Sequence, residues 1–324
     1  MAPHPCSVKT NTVATHAALG PSACVATVLS EQAVDSCQVR RRGLTGEDVR
    51  VDSTTLHWAS RRYLMSRYEE LQSDYGRLPD GGRRADGYHF TTEAKRIFPR
   101  YTVVDAMLME VERLDPDRLP AVDVLVSMML AAADSADSPL TDPPYDEVEA
   151  QAAADERRLF AAKVQHWSAQ PGVRADPVPY RRVLTREESS AWRTSLQRRW
   201  GVQNGWWHPM LSGAVPPDVL VLTEESMWEG DGVDQVRRVL RELGRPRVVE
   251  LREYKADYLL DVEIVAPRYT GPECYWTDEQ HDWIAYASHE GTVAFGGVLA
   301  AALVATWPEV DRWRWPGWQA PGDR

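Results

Sequence analysis

From Gly291 to Pro308 the chain carries no charged residue, and this run most limits the fold it can adopt. Its front part, Thr292–Phe295, follows an equally apolar stretch at Trp283–Ser288, with His289-Glu290-Gly291 between them. Two short runs joined by a polar turn that ends in glycine read as a β-hairpin. Gly296-Gly297 then interrupts the strand pattern, and Val298–Thr306 reads as a short buried helix ended by Pro308. A membrane span needs roughly twenty predominantly apolar residues, more than this helix supplies. The hairpin and helix must therefore be covered by other layers of the same chain.

The preceding residues supply such layers. Thr185 and Glu188 form a T-x-x-E capping box, in which each side chain reaches the other residue's backbone amide. Trp192, Leu196 and Trp200 follow on one helical face, and Gly201 closes the helix. Val219–Thr223 reads as a buried strand, and Asp231 as the cap of a helix carrying Val233, Val236, Leu240 and Leu243 up to Gly244. Val248–Leu251 and Tyr258–Val265 read as strands. A right-handed βαβ unit is expected across 219–251.

The N-terminal half is helical. Ser53 or Thr54 is expected to cap a helix presenting Trp58, Met65, Tyr68, Leu71 and Tyr75, with Gly76 as its stop. Further helices are expected over Thr102–Leu114, from Pro120 onward with Leu125 and Met129 inward, and over Tyr145–Trp167. The spacing predicts an α+β fold, with a helical N-terminal region followed by a mixed α/β sandwich-type C-terminal domain. The expected segments are 1–52, an extension lacking packable aromatics that reads as disordered or mis-assigned; 53–133, helical; 134–179, an acidic Pro-rich linker and bridging helix; and 180–324, a Trp-rich α+β domain.

Charge and cysteine usage narrow the function classes. The net charge is −11, and the stretch from Asp115 to Glu156 holds eleven acidic residues against one basic, Arg118. Nucleic-acid binders carry a basic stripe, so nucleic acid is disfavoured as the main partner. Three of the four cysteines fall in the first forty residues and Cys274 stands alone, which is neither a disulfide framework nor a CxxC zinc site. A reducing cytoplasmic location is expected. Only four lysines accompany 33 arginines, as in proteins from high-GC bacterial genomes.

Several constellations invite a chemical reading. Asp218 with Glu253 and Lys255 resembles a carboxylate-plus-E-x-K arrangement that binds a divalent cation and activates water. It requires Asp218 and Glu253 to converge. Cys274, His281 and His289, with Asp278 or Asp282, are zinc-ligand types. On an extended strand, however, the two histidines stand about 26 Å apart, and no metal or other cofactor is expected. Ser288-His289-Glu290 holds a nucleophile, a base and an acid, but consecutive residues do not converge as a triad. Gly296-Gly297 reads as a tight strand-to-helix joint in preference to an anion seat. Trp206, Trp207, His208 and Trp276 fall outside the periodic stripes, where aromatics are available for recognition.

The sequence therefore predicts a non-enzymatic accessory protein of a regulatory or immunity-like kind. It would bind a protein or a small effector through Trp206, Trp207, His208 and Trp276, with no membrane contact. The rival expectation is a nuclease-like metal-dependent hydrolase built on Asp218, Glu253 and Lys255.

Overall fold

Asp52 accepts the Thr55 N–H at 2.8 Å and so starts the first helix, one residue ahead of the expected cap. This helix, α1 (Ser53–Gly76), opens a computed structural model that describes residues 51–202, 207–209 and 215–317. The expected extension lies outside the described residues up to position 50. α2 (Thr92–Val111) is capped by Thr91 and runs through Pro99, so it begins ten residues before the expected Thr102. α3 (Val122–Ser135) starts just beyond Pro120, and α4 (Glu147–Ala169) is capped by Asp146. Leu56, Leu64, Met107, Leu125, Met129, Phe160 and Val164 interlock as the core of this bundle.

The remainder is built on one sheet. Its elements are β1 (Arg181–Val183), α5 (Arg186–Trp200), β2 (Val219–Thr223), α6 (Glu225–Trp228), α7 (Gly232–Glu242), β3 (Arg247–Arg252), β4 (Tyr258–Asp261), β5 (Cys274–Thr277), β6 (Trp283–Ser288), β7 (Thr292–Gly297) and α8 (Val298–Thr306). The strand order is β1-β4-β3-β5-β6-β7-β2, and every neighbouring pair is antiparallel. The architecture is α+β, as the sequence predicts. The capping box at Thr185 and Glu188, the left-handed Gly201 and the β6–β7 hairpin all form where expected. The βαβ expectation is corrected: β2 and β3 point the same way, but β5, β6 and β7 lie between them. β1 and β5 are strands that the pattern did not reveal. The expected strand at Tyr258–Val265 stops at Asp261, after which Val262–Ile264 turns as a 3₁₀ helix.

Alternation distributes the strand side chains between two cores. On one face Val248, Leu260, Trp276, Trp283 and Phe295 pack under Val236, Leu240, Leu299 and Leu303 of α7 and α8. On the other, Val249, Leu251, Tyr275, Ile284 and Tyr286 pack under Leu196 of α5 and Trp207. Gly297 joins β7 to α8 at φ +70°, and a Cβ there would lie 2.1 Å from the Asp282 carbonyl oxygen. That oxygen accepts the Val298 N–H at 3.2 Å. The Gly-Gly pair is therefore a close-packed joint.

Bundle and sheet meet at a buried ionic network. Arg61 of α1 donates from Nε to Glu112 Oε1 at 3.1 Å, and Arg181 of β1 approaches Glu112 Oε2 at 3.3 Å. The Glu112 carbonyl accepts the Val183 N–H at 2.8 Å. Among the described residues, no helix is long and apolar enough to cross a membrane.

Candidate functional site

One end of the sheet gathers the polar side chains that sequence reasoning left scattered. Glu253 follows β3, Glu273 precedes β5, His289 turns β6 into β7, and Glu224 follows β2. Backbone bonds tie these ends together: Glu253 N–H donates to the Glu273 carbonyl at 2.8 Å, and Glu224 N–H to the Gly291 carbonyl at 2.9 Å.

Glu273 is the centre of this end and is only 2% exposed. Its carboxylate accepts from the Tyr286 hydroxyl, from Ser288 Oγ at 3.4 Å, from the His289 N–H at 3.4 Å, and bonds His289 Nδ1. Burial alone would raise its pKa, but the Tyr286 and His289 hydrogen bonds outweigh burial and hold the carboxyl below its ordinary value. Tyr286 is pushed the other way, first by burial and then by its bond to this carboxylate, so its phenol stays protonated. The phenol stacks on Tyr275 at 4.8 Å, and its oxygen lies 3.3 Å from His208 Nε2.

The second nitrogen of the His289 ring points away from Glu273 and lies 3.2 Å from Glu290 Oε1. The side chain is 58% exposed. Carboxylates beside both ring nitrogens, Glu273 at Nδ1 and Glu290 at Nε2, fix the imidazole's orientation. Ser288 is no nucleophile for this dyad: it is fully buried, its hydroxyl donates to Glu273, and it accepts the Glu290 N–H at 3.1 Å. The arrangement presents a rigid imidazole beside an acidic rim.

The other expected sites separate. Asp218 lies at the start of β2 and Glu253 at the end of β3, on opposite ends of the sheet with three strands between them. Four strand spacings alone amount to about 19 Å. Lys255 occupies a left-handed turn at φ +77° beyond β3. The three side chains do not converge, which removes the geometric basis of the metal-dependent hydrolase.

Cys274 is buried in β5 with Sγ 3.4 Å from the Pro272 carbonyl oxygen, and burial pushes its thiol pKa up. His281, at the opposite end of the sheet from His289, stacks on Trp192 at 4.9 Å. Asp282 pairs with Arg245 at 2.8 Å, and Asp278 accepts the Trp283 indole N–H at 2.7 Å. Among the described residues no three His, Cys, Asp or Glu side chains are grouped to hold a metal ion.

Two of the expected recognition tryptophans turn out to be core residues. Trp276 is a β5 strand residue, 1% exposed, where a loop position was expected; Trp207 is 7% exposed and lies edge-on to Trp200 at 6.1 Å. Trp206 lies outside the described residues. His208 reaches the site through the Tyr286 hydroxyl, and Trp207 lies edge-on to the Tyr286 ring at 6.5 Å. Sequence reasoning missed Glu273 and Tyr286. The available signal was parity: Tyr286 and Ser288 share a strand face, and the His-Glu-Gly turn follows directly.

Compared with known families, curated proteins and solved structures, the chain matches none.

Proposed function

We propose that this chain is a non-enzymatic accessory protein, regulatory or immunity-like, that recognises a protein partner through the sheet end around His289. The observation that carries the reading is how Glu273 is used. Its acceptors are occupied by Tyr286, Ser288 and His289, so the buried carboxylate orients groups and is not itself available to a substrate. Rigid, pre-oriented polar groups lower the cost of ordering an interface.

The partner this end suits is basic. Glu290 lies against the His289 ring, Glu224 and Glu253 are tied by backbone bonds to Gly291 and Glu273 at the same end of the sheet, and Tyr254, next to Glu253, is 45% exposed. Complementary charge of this kind speeds encounter and excludes wrong partners.

The test is affinity capture from the source cells with wild type, His289→Ala and Val304→Ala, the last an exposed position on α8. A partner retained by Val304→Ala and lost by His289→Ala supports the reading. An identical set of captured proteins in all three overturns it.

A further inference from the structure

Where the bundle lies against the sheet, the chain encloses a second polar site, remote from His289. A cavity of about 110 Å³ opens between α1 and α2 on one side and β1, β3 and β4 on the other. Its walls include Asp105, Glu69 and Met65 from the helices and Arg181, Arg252 and Leu260 from the strands. Its size suits a molecule of roughly half a dozen non-hydrogen atoms, well below the several hundred Å³ of drug-sized sites.

Two of the lining groups are incompletely satisfied. Asp105, partly buried in the middle of α2 and lining the cavity, accepts no hydrogen bond from any described residue. Buried carboxylates are normally bonded, so such a group calls for an explanation. Arg252 directs Nε at 2.6 Å and one terminal nitrogen at 2.5 Å onto Glu250, while its other terminal nitrogen has no acceptor among the described residues. Asp105 and Arg252 border the same cavity yet stand too far apart to pair. Burial raises the Asp105 pKa against the opposing pull of Lys255, Arg181 and Arg252.

We infer that this cavity is a binding site for a small zwitterion of the α-amino-acid class, its ammonium group on Asp105 and its carboxylate toward Arg252. A cation alone would meet the guanidinium groups, and an anion alone would meet Asp105 and Glu69. A zwitterion satisfies both and leaves the site's charge unchanged. Because the walls come from both halves of the chain, the ligand also clamps bundle to sheet, and its binding stabilises the fold by mass action.

The experiment uses the full chain in thermal-shift and calorimetric titrations with glycine, L-alanine and L-serine at millimolar concentrations. Ethylamine, propionate and N,N,N-trimethylglycine, a zwitterion with no N–H donor, serve as controls. At least one amino acid is expected to raise the melting temperature, with each control binding about tenfold or more weaker. Asp105→Asn is expected to reduce that affinity by a similar factor. No shift with any of the three amino acids would mean that the cavity holds only water and would overturn the proposal. So would an equal response to propionate or to trimethylglycine, a comparison made entirely on wild-type protein. None of these outcomes depends on His289 or its partner.

Discussion

Trp276 donates its indole N–H to Glu250 Oε2 at 2.9 Å from the position directly opposite it in the β5–β3 pairing. The other oxygen of Glu250 holds Arg252, whose guanidinium lies 4.9 Å from the Tyr258 ring centroid. One tryptophan thus anchors a chain of charge across three strands. Trp276→Phe keeps most of the packing but strands a buried carboxylate oxygen, a loss of about 1–3 kcal/mol. Trp276→Ala adds a cavity and is expected to cost about 3–5 kcal/mol. Urea unfolding reads both, and a midpoint unchanged by the phenylalanine would contradict the role given to the indole.

His57 of α1 is completely buried beside Arg61. Burial first, and then the Arg61 charge, lower its pKa to about 4. The unfolded chain takes up this proton near 6.5 and the folded chain only near 4. The imidazole's contribution is therefore complete above about pH 6.5 and is lost as pH falls toward 4, by up to about 3 kcal/mol. His57→Leu is expected to flatten that decline. Urea midpoints measured at intervals from neutral pH down to about 4.5 test this, and parallel curves for the two proteins would refute it.

Arg61 and Glu112 are 2% and 0% exposed and are paired across α1 and α2. Removing Arg61 takes away two hydrogen bonds to Glu112 and leaves that buried carboxylate to Arg181, at 3.3 Å, so Arg61→Met is expected to cost about 3 kcal/mol. Adding Glu112→Gln should recover part of that loss, since the second charge is then gone. A double variant no more stable than Arg61→Met would show that packing, and not charge, dominates this junction.

Gly297→Ala places a methyl group 2.1 Å from the Asp282 carbonyl oxygen, in a left-handed conformation. Backbone must move, and a destabilisation of about 2–4 kcal/mol is expected. The matched control is Gly244→Ala, which shares a positive φ but has open space around its Cβ. Equal losses at the two glycines would mean that conformation alone matters at Gly297.

Legibility followed local chemistry. The Thr185–Glu188 box, Gly201 and the β6–β7 hairpin each rest on residues within a few positions of one another, and all were readable. β5 was hidden because Cys-Tyr-Trp-Thr is buried on both faces and so shows no alternation. β1 is three residues long and begins with two arginines, which gave no apolar signal. The first half of α2 lies ahead of the expected start at Thr102, and the helix runs through Pro99, a residue that ordinarily breaks one. At the candidate site the turn His289-Glu290 was visible, but Glu273 acquires its role only when β5 and β6 are paired. Trp276 looked available for the converse reason: nothing local reveals that Glu250 and two packed layers enclose it.

The strand order has a consequence for how the molecule comes into being. β5, β6 and β7 slot between β3 and β2, strands that are synthesised earlier. Until residue 277 has left the ribosome β3 lacks one of its two strand neighbours, and until residue 297 has left it β2 lacks its one neighbour among the described strands. The helices α1 to α4 precede all of this and contact one another extensively, so they are able to fold while the sheet waits. During that interval the nascent chain exposes open strand edges, the surfaces most prone to pairing with a neighbour. The hairpin at Trp283–Gly297 acts as the keystone, and a chain stalled before it is the form a cell's chaperones would have to hold.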